Sequence, residues 1–571
     1  MLRFSLPISS VMLLICGTCS QAQQFQPLVL SDVAYDLGTG ERRIAGFDNA
    51  YLNAAGQAVV EVDRVWNPVA VDSISPDSMT TLPELDRLID LFASSATILA
   101  LGDHGPKVVA TTVPGLTLDD RPIFHIQYGP IVGFNSGDTF LTSGLNVDSE
   151  GKAVFVGLSD HLGTPLSGKP LWRGDGDSLH TIISETLPGV ESFSRSELSG
   201  PLVAAEGVLA FGGLSVRQAS ALDIRSSVWR RSAGGISLLA QEGSPAAGMA
   251  EGAYYSSIGL AGLNGAGDAL LRGWALRGVR GESTDGIWLV PATGEAKLVA
   301  SEGHQAPGAA AGVEFAFNMF PAIGGATVAF SATTVDSNGH YGGGIWIDRG
   351  HNLEKVAATG DKVPIDQGER VFTIFGGGYE PAVNSRGDVA FEAWSQDSGA
   401  GIFGGTPGLW IDYARTGFTS IVQQGDQAPG LEVGTEFDQP SEPALLSNGD
   451  TLFTASLRGA NITDENRFSL WRFEEEGGLT LILRTGDVLE LALGDQRQVA
   501  SFALAGLGSG TDDGMPRSFN DAGQIALSID FMDGTSGVVL YDPTAVPEPT
   551  GLIASALCCI LLIARSRRQV R

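Results

Sequence analysis

The sequence predicts an all-β fold: a β-propeller of four-stranded blades, eight preferred and seven the alternative, its ring closed by both chain ends. Three observations predict it. A short phrase of the form N-x-x-G-x-x-A-F returns eight times, a Trp recurs at one phase of the middle units, and the two ends of the body carry complementary half-units.

The phrase is a physical unit. Asn or Asp followed three residues later by Gly is turn chemistry, because these residue types tolerate positive φ. The residues after the Gly alternate and turn apolar, as a strand entering a core does. The copies start at Asn53, Asp148, Ala204, Asn264, Ile323, Asn384, Leu446 and Asn520. From Gly151 the Gly position falls at Gly207, Gly267, Ala326, Gly387 and Gly449, in steps of 56, 60, 59, 61 and 62 residues. Chance Gly-x-x-Ala-Phe strings would not keep that spacing.

About twenty residues after the Gly position of each middle phrase stands Trp172, Trp229, Trp288, Trp346, Trp410 or Trp471. A third element follows, such as Val356 to Pro364, and then a Phe-containing stretch such as Val371 to Phe375. Four short apolar runs per unit, each closed by Gly, Pro, Asn or Asp, read as a four-stranded antiparallel sheet. Tandem sheets of this kind make a propeller. A Trp that recurs in every middle unit reads as packing between blades, since a binding residue need not repeat.

In chain order, residues 1–22 read as a secretory signal peptide, with Arg3, the apolar run Val11 to Ile15, and a cut after Ala22. The body is 23–543. Leu28 to Leu30 and Phe47 to Leu52 match the third and fourth elements of a unit, while the unit after Asn520 has only its first elements. Joined, the halves make one blade and remove the open edges of the array. The first spacing, 95 residues, is long, and its excess near 67–98 carries Thr81-Leu-Pro-Glu84, a capping box, with Leu85, Leu88, Ile89 and Phe92 at helical spacing. A short helix inserted in the first blade is expected. The 74-residue spacing to Gly523 includes Gly508 to Gly514, expected as a surface loop. Residues 544–571 hold Pro547-Glu548-Pro549, an apolar run from Gly551 to Ala564, and the basic residues Arg565, Arg567, Arg568 and Arg571. That run is shorter than the roughly 20 residues of a bilayer span.

Cys16, Cys19, Cys558 and Cys559 are the only cysteines, all in the terminal segments. The body then has no disulfide, thiolate metal site or Cys nucleophile. With residues 1–22 and those after Pro549 removed, the chain keeps 30 basic against 65 acidic residues, a net of −35. Such a field disfavours nucleic acid and anionic membranes. It would attract Ca2+ or a cationic polysaccharide, or else simply keep an exported protein soluble.

The seven His residues show no His-Glu-x-x-His pattern, and no Gly-x-Ser-x-Gly elbow is present. The residues assign no catalytic, cofactor or metal site. Asp175, Asp177 and Ser178 suggest a Ca2+ loop, but the EF-type spacing fails and a tight polar loop is the simpler reading. Arg173-Gly-Asp175 and Arg386-Gly-Asp388 spell an adhesion tripeptide, the second inside a repeat phrase. Two functions remain: a non-catalytic surface or matrix protein with a binding or structural role, or an extracellular polysaccharide hydrolase or lyase with carboxylates at the ring mouth. Non-repeating charged residues clustered at one mouth would favour the enzyme.

The end of the chain, Pro547-Glu548-Pro549 with the apolar run and the arginines, resembles the PEP-CTERM sorting signal of exosortase-bearing bacteria. The phrase array is similar to the tandem NxxGxxAF repeats of bacterial choice-of-anchor proteins. The first resemblance implies an exosortase-type protease that recognises Pro547, Glu548 and Pro549. It also implies transient anchoring in the inner membrane, Arg565, Arg567 and Arg568 inside, and delivery to the surface or medium of a Gram-negative-type bacterium. A plain membrane anchor is the alternative. The second implies no activity.

Overall fold

The structure is a computed structural model that describes residues 24–545 apart from several internal stretches, the longest being 67–96, 112–122 and 127–144. The predicted helix near 67–98 lies almost wholly outside the described residues. So do the processing residues Ala22, Pro547, Glu548, Pro549, Arg565, Arg567 and Arg568. Among the described residues no helix is long and apolar enough to cross a membrane.

The phrase folds as its chemistry dictates. Asn53 Oδ1 accepts the backbone N–H groups of Ala55 and Gln57, and Gly56 takes φ 79°. Asn384 and Asn520 cap their own turns in the same way, and Asp148 does so in the second copy. A carboxylate serves that turn as well as an amide. The amide has a further use, because its N–H2 reaches the neighbouring sheet. Asn53 Nδ2 donates to the carbonyl of Asp148 at 3.0 Å and Asn384 Nδ2 to that of Leu446 at 3.0 Å. One side chain thus accepts within its own turn and donates to the next.

Each phrase builds one sheet, and the described strands form eight. They are numbered here as blades 1 to 8 in phrase order, and contacts between them run from each blade to its neighbour around a ring. This is the predicted β-propeller. Blade 5 shows the pattern: Phe320–Gly324 innermost, then Thr327–Val335, Tyr341–Asp348 and Leu353–Ala358 outermost, paired antiparallel in that order. The phrase turns all lie on one face of the ring, and the hairpins joining second to third strands lie on the other.

The recurrent Trp is core, as the repeat predicts. Trp229, Trp288, Trp346, Trp410 and Trp471 are fully buried. Trp346 stacks on the phrase residue Phe330 and packs against Leu270, Ile287 and Ala300 of blade 4. Its indole N–H donates to the Pro307 carbonyl in the loop leaving blade 4, at 3.1 Å. Trp288 and Trp229 make the same bond to Ala247 and Pro188. Burying an indole of about 150–250 Å² removes roughly 4–6 kcal/mol of apolar hydration, so each Trp is a main contributor to one blade-to-blade joint.

Ring closure uses both ends, through Leu28 to Leu30 as expected but not through Phe47 to Leu52, which belongs to the strand Glu41–Leu52 of blade 1 and pairs there with Ala58–Trp66. Blade 8 takes Asp495–Ala503, Ile525–Phe531 and Ser536–Tyr541 from the C-terminal part and Phe25–Leu30 from the N-terminal part, with Phe25 opposite Tyr541. An extra strand, Val488–Ala492, pairs with Asp495–Ala503.

A second expectation is overturned. The segment 504–519, expected as a surface loop around Gly508 to Gly514, interrupts the inner side of blade 8 and fills the axial hole level with the phrase turns. Its carbonyls accept N–H groups from Leu52, Val203, Leu263 and Leu445, through Arg517, Gly514, Asp513 and Ser509 respectively. Asp512 accepts the N–H groups of Gly265 and Gly325, and the Gly514 carbonyl accepts from Asn146. Glycine permits the approach: a Cβ on Gly510 would sit 1.7 Å from the Val383 carbonyl oxygen. A segment that hydrogen-bonds to inner-strand backbone has the same Gly- and Asp-rich composition as one that hydrogen-bonds to water, which is why composition misplaced it.

Candidate functional site: the axial channel and its open face

The plug closes the channel on the phrase face and does not reach the opposite face, called here the open face. Beyond it the inner strands end in a shared step: Phe320-Pro321-Ala322 in blade 5, Glu380-Pro381-Ala382 in blade 6 and Glu442-Pro443-Ala444 in blade 7. The second strands place Arg272, Ser331, Glu392 and Thr454 at one station, immediately after the phrase, all of them buried. The backbone repeats here, while the side chains vary from blade to blade.

Blades 4 to 7 thereby gather a charged group. Arg272 pairs with Asp285 at 3.4 Å, both almost fully buried, and lies over the Phe320 ring at 4.7 Å. The Met319 N–H donates to Asp285 Oδ2. Glu380 is partly exposed to the channel, yet desolvation, reinforced by the Asp513 charge and opposed by Arg272, pushes its pKa up to about 7. Asp513 in the plug is itself raised by burial, against the pull of Arg517, whose guanidinium donates to it at 3.2 Å.

Glu392 and Glu442 form the second centre. Glu392 is 6% exposed and accepts the backbone N–H of Glu442. Among the described residues nothing hydrogen-bonds to its Oε2. Burial, with the Glu442 charge adding, pushes its pKa up to about 7, and Glu442 is raised by burial as well. Glu442 sits at φ 56°, a left-handed conformation that a non-glycine side chain adopts at a cost. Two carboxyls of this kind, one poised near neutrality, can exchange a proton with a bound group. Two residues along from Arg272 and Glu392, Trp274 and Trp394 are half-buried towards the open face.

The features singled out from sequence lie elsewhere. Asp175 accepts the N–H groups of Asp177 and Ser178, the tight polar loop expected. Asp388 is buried and paired with Arg386, so the second adhesion-like tripeptide is part of a turn. Among the described residues no group of three His, Cys, Asp or Glu is arranged to hold a metal. The channel carboxylates escaped the sequence reading. Their signal is a pair of repeat stations whose occupants vary between blades, with Glu61 and Glu392 at one and Glu380 and Glu442 at the other.

The sequence profile of one family of unknown function matches residues 126–368 and again 324–553. The chain belongs to that family, DUF7453. Two overlapping matches on one DUF7453 chain follow from the tandem repeat, which lets one profile fit in two registers. No curated protein matches the sequence. Among solved structures, the DUF7453 propeller is similar to the β-propeller domain of the Trilobed protease from Pyrococcus furiosus, at 8% identity and TM-score 0.32, covering 78% of this chain and 100% of that one. It is also similar to polysaccharide lyase Uly1, at 9% identity and TM-score 0.33, covering 72% and 94%. A third is an α-L-arabinanase from Penicillium chrysogenum, at 11% identity and TM-score 0.24, covering 60% and 93%. At these scores the likenesses carry nothing about the activity of the DUF7453 chain.

Proposed function

We propose that the chain is an exported propeller, processed near Pro547-Glu548-Pro549 by an exosortase-type protease, that serves at the cell surface or in the matrix as a non-catalytic binding or structural module. The observation that carries this reading is where the chain leaves the body. Gln524 Nε2 donates to Asp542 at 2.9 Å and the Asp542 N–H donates to the Gln24 carbonyl. Both ends of the described body, Gln24 and Asp542, thus meet beside a phrase turn on the plugged face. The five residues after Asp542 that reach Pro547 span at most about 18 Å. A tether so short would hold the plugged face towards the membrane and turn the open face outward, as a displayed module requires. Intact-mass analysis of the native extracellular fraction tests it. Expected is a mass lacking residues 1–22 and the segment after Pro549. Mature protein ending at Arg571 in a host that makes exosortase would overturn it.

The second reading, an extracellular polysaccharide hydrolase or lyase, is favoured by Glu392 and Glu442, carboxylates of adjacent blades brought together towards the open side. Release of reducing ends or unsaturated sugars from a polysaccharide panel, lost in Glu392→Gln, would establish it.

A further inference from the structure

On the open face, at the outer part of blade 5, lies a cleft of about 300 Å³. It is separate from the channel carboxylates, and neither the repeat nor the proposed export accounts for it. Its floor is Gly342 and the edge of Trp346, and its far wall is the small-residue turn Gly308-Ala309-Ala310 from the preceding blade. Its rim carries Tyr341 and two fixed polar pairs. His340 Nδ1 pairs with Asp336 at 3.0 Å, and Lys355 Nζ with Asp361 at 2.9 Å.

Tyr341 stands outside the blade core. It is 62% exposed and meets Phe317, itself 43% exposed, with ring centroids 5.6 Å apart. An exposed aromatic pair costs solvation, and its usual return is contact with a partner that has a matching apolar face. Gly342 keeps the floor bare: a Cβ there would stand 3.3 Å from Thr334 Oγ1 and 3.4 Å from Thr359 Cβ, in the space the cleft occupies. The cleft combines an aromatic wall, a backbone floor and a rim of oriented donors and acceptors, at the lower end of the roughly 300–1,000 Å³ of small-molecule sites.

We propose that this cleft is a saccharide-binding subsite that takes one or two uncharged pyranose rings of an extracellular polysaccharide. A pyranose has an apolar C–H face for Tyr341 and an equatorial belt of hydroxyls for Asp336, His340, Lys355 and Asp361. The rim holds two carboxylates against one lysine, and the full chain carries a net charge of −30. That field repels uronates and sulfated sugars, so the ring is uncharged. The inference goes beyond the proposed function and stands whether or not the tail is processed.

The test is calorimetric titration of the folded body, 23–545, with neutral gluco-, manno- and galacto-oligosaccharides, and with oligogalacturonate as the anionic control. Tyr341→Ala and His340→Ala alter exposed side chains, and their melting temperatures should equal the parent's. Expected is saturable binding of at least one neutral oligosaccharide, weakened roughly five- to tenfold by Tyr341→Ala, and weaker or no binding of oligogalacturonate. Absence of binding to every neutral oligosaccharide at 10 mM, undiminished binding by Tyr341→Ala, or preference for oligogalacturonate would each overturn the proposal.

Discussion

The side-chain amide of Asn520 donates to the backbone carbonyl of Asn53, 467 positions away, at 3.2 Å. The bond repeats across the seam of the ring what Asn53 does for Asp148 and Asn384 for Leu446, so the closing joint is built like the others. Asn520 is 4% exposed and also caps its own turn. Asn520→Ala removes both roles and is expected to destabilise the body by about 1–3 kcal/mol. Asn520→Asp keeps the cap, loses the donor, and should cost less. Urea denaturation of the three proteins checks the ranking.

Trp346→Ala is expected to cost about 3–5 kcal/mol, as for an emptied aromatic core site. The side chain fills the joint between blades 4 and 5 and its N–H is bonded across it. A mutant melting with the parent would contradict the packing described for every middle blade.

The plug should resist proteolysis, since residues 504–519 hydrogen-bond to inner strands almost all round the ring. Gly510→Val is expected to expel it, because even a Cβ at Gly510 would overlap the Val383 carbonyl. Limited proteolysis followed by mass spectrometry should give no cut within 505–518 in the parent and cuts there in the variant.

Stability should fall as pH rises from 5 to 8. Glu392 is held neutral in the folded state up to about 7 against an ordinary value of 4.5, and Glu380 likewise. Below the unfolded value both states are protonated. Between the two values only the unfolded state has lost its proton, so unfolding releases one and stability drops with pH until the folded value is passed. At about 1.36 kcal/mol per pKa unit the Glu392 share is at most roughly 3 kcal/mol. Glu392→Gln should flatten the profile, raising melting at pH 8 more than at pH 5. Thermal melts across that range decide it.

The architecture was legible because its signals are local and repeated. Asn384 to Phe391 states a turn and the strand it opens, and six Trp at one phase state that a joint recurs. Leu28 to Leu30 could be assigned to the closing blade because that unit lacks its later elements, whereas Phe47 to Leu52, joined to it by the same reasoning, opens blade 1 instead. The plug was not legible, since Gly508 to Gly514 has the composition of a solvated loop and its seats are scattered from Leu52 to Leu445. The channel carboxylates were hidden for a related reason. Glu380, Glu392 and Glu442 each look unremarkable in their own unit, and only the curvature of the ring brings Glu392 to Glu442. Tyr341 lies in a hairpin whose length varies between units, where periodicity says nothing.

The plug comes from the last blade, and its seats belong to the others. The strand Phe25–Leu30 is the first of the body to be synthesised and pairs with the last, Ser536–Tyr541. Both facts fix an order of assembly. Seven blades must stand before the segment 504–519 has anywhere to bind, and the opening strand waits through the whole chain for its partner. Contacts of such sequence separation make folding slow. A chain cut short anywhere before residue 504 would be left with an unfilled axis and an unpaired edge, two adhesive surfaces at once. The finished ring is therefore its own certificate of full-length synthesis, and truncated chains are expected to aggregate rather than persist as smaller propellers.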